Sequence, residues 1–303
     1  VKFNAMPENK FRFQTVSQSL KNIEQIFKNN GVINSKEEAE ILLCYSLRMS
    51  RSEIYLDFDK VLKNTESMQL EKKVQKRIKK IPLQYITKHQ EFMGIDFLVE
   101  KGVLIPRPET EILVEEVIKK LKNVKCSNHP VVADLGTGTG VIAISLAKFI
   151  NNIIIYATDV SKISLRTALK NAQKQACRDK IIFLQGDLFQ PFLGRIKKNS
   201  LDGIISNPPY ISSYDFELLP PEIKNNEPKT ALFGGIDGLD YYRKIISNSP
   251  QYLKKEGFLA LEVGMNQSKI VEELMIKEEH AYQNIEMIKD YLGIERVVIA
   301  YRK

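Results

Sequence analysis

Five short runs constrain this chain more than any other feature: VVADL (131–135), NIIIYATD (152–159), IIFLQGD (181–187), LDGIISN (201–207) and GFLALEV (257–263). A strand with one face in water alternates apolar and polar residues, and these runs do not. They read as strands buried on both faces, in a parallel sheet covered by the helical segments that lie mostly between them. From residue 109 the chain is therefore expected to be a doubly wound α/β domain. Its end differs: QNIEMIKDYLGIERVVIAYRK (283–303) reads as two strands around a short loop at Gly293, a hairpin-like finish.

The first part has another period. Apolar residues recur at intervals of three and four, at Val16, Leu20, Ile23 and Phe27, then at Ala39, Leu42, Leu43, Tyr45 and Leu47, then through 68–81. That pattern predicts a small helical bundle. Gly31 and Asn34-Ser35 punctuate its first two helices, and Pro82 is expected to end the last. The stretch EFMGIDFLVEKGVLIP (91–106), with turn signals at Gly94 and Lys101-Gly102, predicts a short hairpin, and Pro106-Arg107-Pro108 makes a stiff exit. The expected organisation is a helical domain over 1–86, a hairpin linker over 87–108 and the α/β domain over 109–303.

With 303 residues, 43% of them hydrophobic, both domains can build cores without staples. Cys44, Cys126 and Cys177 lie far apart with no CxxC pair, so neither a disulfide framework nor a zinc cluster is indicated, and a reducing cytoplasm fits. His89, His129 and His280 form no ligand spacing, and no metal is expected. The segment VKFNAMPENKFRFQ lacks an apolar signal core, and no apolar run approaches the roughly 20 residues of a membrane span, so a soluble protein with no membrane partner is expected. The net charge of +8 favours encounters with polyanions such as the ribosome. Its densest basic run, EKKVQKRIKK (71–80), also sets Val74, Ile78 and Ile81 at helical spacing, which reads as the solvated face of an amphipathic helix.

Two loops carry chemistry. In VVADLGTGTGVIAISLA (131–147) a buried strand, a tight glycine loop and a helix follow one another, and Gly136, Gly138 and Gly140 let the backbone approach a ligand closely. A dinucleotide fingerprint would need glycine where Val141 stands, so G-x-G-x-G points to a methionine-type ligand instead. Asp134 is placed to orient the loop or meet the ligand's amino group. Asp159, ending the next strand, is placed to accept ribose hydroxyls or to cap the following helix. Asp187 and Leu188, after the third strand, suit an adenine amino group and ring face.

The second loop is Asn207-Pro208-Pro209-Tyr210, after the fourth strand. Two prolines offer no N–H, so the loop is rigid and presents carbonyls and the Asn side chain as acceptors. Methylating a planar NH2 needs this: the Asn207 oxygen and the Pro208 carbonyl each take one N–H, aiming the nitrogen lone pair at a sulfonium methyl group and stabilising the charge that develops. Tyr210 is expected to pack on the planar group as a wall.

At these residues the sequence resembles the HemK/PrmC family of protein glutamine methyltransferases. The resemblance rests on Pro82-Leu83-Gln84-Tyr85-Ile86, Glu91-Phe92 with Gly94, IPRPETEILVE (105–115), DLGTGTG (134–140), SNPPYI (206–211), EPKTALFGGIDGLDYYRKII (227–246), LEVG (261–264) and GIERVV (293–298). It implies a class I, Rossmann-like methyltransferase domain with a seven-stranded, mostly parallel sheet, preceded by a helical domain that engages the protein substrate. It further implies S-adenosylmethionine, leaving as S-adenosylhomocysteine, held by Gly136, Thr137, Gly138, Thr139, Gly140, Asp159, Asp187, Leu188 and Asn207. The implied substrate is the glutamine of the GGQ motif of class 1 translation release factors, held by Asn207, Pro208, Pro209 and Tyr210, with Asn207, Pro208 and Tyr210 catalytic. Arg107-Pro108-Glu109-Thr110-Glu111 favours that branch over the one acting on ribosomal protein uL3. The sequence departs from the family at Lys88, usually glycine, and at Leu188, sometimes aromatic. A monomer without direct nucleic-acid binding is expected. The rival readings are a nucleic-acid amino-methyltransferase, disfavoured because no target-recognition domain is visible, and a non-catalytic ribosome-binding module, disfavoured by the intact GTGTG and NPPY.

Overall fold

The computed structural model describes residues 10–123, 129–278 and 281–303; Cys126, His280 and residues 1–9 lie outside them. The chain forms two compact units, one of residues 1–88 with 221–226, the other of residues 89–220 with 227–303.

The first unit holds α1 (Val16–Asn29), α2 (Ser35–Leu47), α3 (Arg51–Leu56), α4 (Asn64–Ile78) and α5 (Leu83–Thr87). The three- and four-residue spacing places Val16, Ile23, Phe27, Leu42, Leu43, Leu70 and Val74 in one core. Thr15 and Gln18 form a capping box that starts α1, each satisfying the other's backbone N–H. The basic stretch is not uniformly solvated. Arg77 is buried, and its guanidinium pairs with Glu38 of α2 and Glu222 of the added segment, at 3.0 and 3.1 Å. Nor does Pro82 end α4: the helix stops at Ile78, Lys80 turns left-handed, and Pro82 caps the start of α5, where its missing N–H costs nothing. Lys88 ends α5 with φ +60°, the left-handed conformation that glycine adopts most easily, which accounts for glycine as the usual residue at this position.

The hairpin β1 (His89–Phe92) and β2 (Ile95–Leu98) belongs to the second unit. Its two-residue turn, Met93-Gly94, has positive φ at both positions, and Phe92, Ile95 and Phe97 bury into the main core. That burial explains why the compact units divide after Lys88.

The main sheet is built from β3 (Val131–Leu135), β4 (Ile154–Asp159), β5 (Ile181–Gln185), β6 (Leu201–Ser206), β7 (Leu253–Glu262), β8 (Tyr282–Lys289) and β9 (Glu295–Arg302), in the order β5-β4-β3-β6-β7-β9-β8. The first five are parallel, and β9 runs antiparallel between β7 and β8. Helices α6 (Glu109–Asn123), α7 (Val141–Phe149) and α8 (Lys162–Lys174) contribute to a core shared with Val132, Ile155 and Ile205; helices Asp240–Asn248 and Ser268–Lys277 share another with Ala133, Ile204 and Leu259. Successive residues of the central strands, such as Val132 and Ala133 or Ile204 and Ile205, thus enter opposite cores, whereas the edge strand β5 leaves Ile182 exposed. From β3 the chain winds through β4 to β5, then returns to β6 on the other side of β3. This switch point opens a crevice at the carboxyl ends of β3 and β6, where Leu135 pairs with Ser206.

Candidate active site

Both sequence-marked loops leave the sheet at that crevice. They line one cleft at the carboxyl edge of the sheet, where open α/β folds bind ligands. Gly136, Thr137, Gly138, Thr139, Asp159, Asp187, Leu188, Asn207, Pro208 and Pro209 all contribute to its wall.

The glycine loop works by shape. Gly136, Gly138 and Gly140 have φ of +77°, +58° and +87°. A Cβ on Gly136 or Gly138 would meet nothing within 4 Å, whereas one on Gly140 would lie 2.8 Å from Ile144 and 3.1 Å from Ala168. The first two glycines therefore keep the cleft open, and the third lets α7 and α8 pack. Gly140 itself is absent from the wall. The N–H groups of Gly136 and Thr137 go to the Thr158 carbonyl, that of Gly140 to Thr137, and that of Gly138 to the Asp159 carboxylate at 2.9 Å. With those donors spent internally, the loop is no phosphate cradle of the kind nucleotide sites use.

Asp134 is fully buried beneath this loop. One carboxylate oxygen accepts from the Thr137 hydroxyl at 2.6 Å and the Ala143 N–H at 3.3 Å, and the other has no partner among the described residues. Burial pushes its carboxyl up to about 7. Asp159 accepts from Gly138 N–H and from Ser161 N–H at 2.8 Å, and burial raises its pKa. It does not cap α8; Ser161 does, accepting from Ser164 N–H. The Ser164 side chain is a third donor, and three bonds leave a carboxylate with spare lone-pair capacity, so Asp159 remains able to accept from a ligand in the cleft. Buried Asn171 fixes the assembly from behind, bonding both backbone groups of Leu98 and the Thr139 carbonyl.

Across the cleft, every residue of β6 is buried, and its last, Ser206, donates to the Leu135 carbonyl at 2.7 Å. Asn207 follows, with its Nδ2 donating to Thr110 Oγ1 at 3.0 Å; Thr110 in turn donates to Glu262 at 2.6 Å. Glu262 is 1% exposed, and burial pushes its carboxyl up to about 7. Tyr210 stands off the wall of the cleft. Its ring packs against the core beside Gly264, its carbonyl accepts from Gln267 Nε2 at 3.0 Å, and burial pushes its phenol well up.

The run FGGIDG (233–238) clamps this loop. Ile211 exchanges backbone bonds with Leu232 and Gly234, and a Cβ at Gly234 or Gly238 would lie 2.7 Å from the Pro209 carbonyl or 2.4 Å from that of Tyr210. At the mouth, buried Glu227 takes the Ile105 N–H and the Arg107 guanidinium, holding the IPRP segment at the cleft. Sequence reasoning assigned no part to Thr110, Glu262, Glu227, Asn171 or Gln267, nor to Tyr241, which also lines the cleft. All but Asn171 and Gln267 lie within the quoted motifs.

The cleft has what S-adenosylmethionine needs: an open glycine wall, carboxylates at Asp159 and Asp187, and an apolar patch at Leu188. Among the described residues no cluster of His, Cys, Asp or Glu has the geometry of a metal site, and no helix is long and apolar enough to cross a membrane.

Comparisons with known proteins agree on the family. Residues 18–87 match the PrmC N-terminal domain, and residues 108–218 the methyltransferase small domain. The chain is 37% identical to the release factor glutamine methyltransferase of Moorella thermoacetica, across 95% of this chain and 99% of that one. It is 38% identical to the protein of the same name from Clostridium acetobutylicum, across 88% and 91%. The hMettl16 catalytic domain, solved in complex with a 3'UTR hairpin, shares the fold at 17% identity and a TM-score of 0.52, across 78% of this chain and 82% of that one. On its motifs, its fold and these relatives, the chain belongs to the family of release factor glutamine methyltransferases.

Proposed function

We propose that this protein methylates the side-chain amide nitrogen of the glutamine in the GGQ motif of class 1 release factors, in the cytoplasm. The observation that carries the reading is the convergence of the loop Asn207-Pro208-Pro209, whose prolines offer carbonyls and no N–H, and an open glycine loop on one cleft. The relatives' name supports the choice of release factors.

Bound S-adenosylmethionine supplies an electrophilic methyl group on sulfur. Gly136 and Gly138 admit its methionyl end, Asp159 accepts ribose hydroxyls, and Asp187 and Leu188 meet the adenine. Asn207 Oδ1 and the Pro208 carbonyl accept the two amide hydrogens, so the nitrogen lone pair faces the methyl group. As nitrogen gains positive charge, both acceptors bind it more strongly than in the ground state, which is the condition for catalysis. No strong base is needed before attack, because the amide sheds its extra proton afterwards to an acceptor or water. Residues 1–86 recognise the protein substrate, as the resemblance to the family implies.

Asn207→Ala tests the mechanism. Turnover is expected to fall by roughly 10² to 10³-fold, the scale for removing one transition-state partner, with cofactor affinity by calorimetry nearly unchanged. Wild-type turnover in that variant would overturn it.

A further inference from the structure

We infer that Thr110 and Glu262 form a positioning relay that decides which end of the Asn207 amide faces the substrate. The inference rests on the reading that Asn207 accepts an N–H from the substrate.

An Asn side chain has two ends of nearly the same shape, one an acceptor and the other a donor. Turned over, Asn207 would point Nδ2 at a substrate NH2, donor against donor. Pro208 and Pro209 hold the backbone but leave that rotation undetermined, so a neighbour must discriminate. Thr110 Oγ1, 3.0 Å from Nδ2, is that neighbour. A hydroxyl alone is ambiguous, since it both donates and accepts. Glu262, 2.6 Å from Thr110 Oγ1, removes the ambiguity: an ionised carboxylate only accepts, so the Thr110 hydroxyl donates to it and turns its lone pairs towards Asn207. Asn207 then turns Nδ2 to Thr110 and Oδ1 to the cleft. Thr110 is 2% and Glu262 1% exposed, so water does not compete for either group. Glu262 is itself anchored, its backbone carbonyl accepting from the Tyr242 hydroxyl at 3.0 Å. Burial and Glu109 oppose its ionisation, while Arg296 and Arg107 favour it. The relay also gives a physical role to the threonine of PRPET and the glutamate of LEVG, which stand 152 residues apart.

The test is a double-mutant cycle at about pH 8, where a carboxyl with pKa near 7 is mostly ionised, with release factor and S-adenosylmethionine as substrates. Thr110→Val should lower kcat/KM for the release factor about tenfold, the equivalent of about 1.4 kcal/mol or one neutral hydrogen bond. Affinity for S-adenosylmethionine should stay within about twofold, and Thr110→Ser should restore activity to a similar margin. In an Asn207→Ala background, Thr110→Val should change kcat/KM less than about twofold, because the amide it orients is gone. A full tenfold cost in that background, or failure of Thr110→Ser to rescue, overturns the relay while leaving the role of Asn207 intact. Wild-type activity in Asn207→Ala alone overturns the underlying mechanism and the relay with it. If Thr110→Val does not fold because it strands the Glu262 carboxylate, Thr110→Val/Glu262→Met removes both buried polar groups and should show the same loss; wild-type activity there also overturns the relay.

Discussion

A methyl group added at Gly238, far in sequence from either loop, should disable the enzyme without touching its cofactor. Gly238 has φ +78°, and an added Cβ would lie 2.4 Å from the Tyr210 carbonyl and 2.9 Å from Gln267 Nε2. Ordinary contact begins near 3.4 Å, so the two backbones must part by about 1 Å. The left-handed conformation costs an alanine about 1 to 2 kcal/mol, and overpacking adds about 1 to 3 kcal/mol. The glycine run is tied down by bonds from Gly234 N–H to Ile211, Asp240 N–H to Gly234 and Ser213 N–H to the Ile236 carbonyl, so part of the shift must fall on Tyr210. Two prolines transmit it to Asn207 as a stiff lever. A misplacement of about 1 Å at a reacting centre costs up to about 10²-fold in rate. For Gly238→Ala we therefore expect kcat to fall 10- to 100-fold and stability to fall by about 2 to 5 kcal/mol. Affinity for S-adenosylmethionine should hold, because the 136–140 loop lies on the far wall. Steady-state kinetics, urea unfolding and calorimetry measure the three quantities. Unchanged kcat in a destabilised variant would refute the clamp.

Asp159→Ala removes the acceptor for two backbone N–H groups and, on our reading, for the ribose, so cofactor affinity should weaken roughly 10- to 100-fold by calorimetry, at the usual worth of charge-assisted bonds; unaltered affinity would reduce Asp159 to a loop brace. Stability should also depend on pH in an unusual direction. Asp134 and Glu262 have native pKa values pushed up by burial to about 7, above those of the unfolded chain. The native state therefore binds more protons between roughly pH 4 and 7, and its stability should decline as pH rises through that window, by an amount on the order of a few kcal/mol. Unfolding in urea from about pH 5 to pH 8 measures it: Asp134→Asn should flatten the curve, and an identical slope in that variant would contradict the assignment.

How much was legible depends on how local the cause was. Each unalternated run became a strand, but burial on both faces holds for the central β3, β6 and the end of β7. The edge strand β5 leaves Ile182 exposed, so its run reflects β-prone residues more than double burial. GTGTG and NPPY were legible because a left-handed loop and a loop stiffened by two prolines each demand particular residues in a row. Their convergence followed from strands that end at the same edge. What the sequence concealed was pairing at a distance: Thr110 with Asn207, 97 residues on, and Gln267 with Tyr210, 57 residues back. Nothing in residues 221–226 announced that they assemble with the N-terminal helices, because the cause is a buried Arg77 that the basic run disguised as one more solvated cation. Pro82 misled as a terminator because proline suits a helix start as well as it breaks an interior. Tyr210 was expected on the wall of the cleft, and its partly buried ring packs against the core because Gly264 leaves room for it there.

Whether a release-factor glutamine is the methyl acceptor can be read from the label itself. The direct measurement incubates the purified protein with labelled S-adenosylmethionine and, in parallel, a class 1 release factor, its GGQ→GGA variant, ribosomal protein uL3 and bulk RNA. Label is expected in the wild-type factor and none in the variant. Label in uL3 or RNA alone would contradict it, keeping the chemistry of the NPPY loop and replacing its substrate.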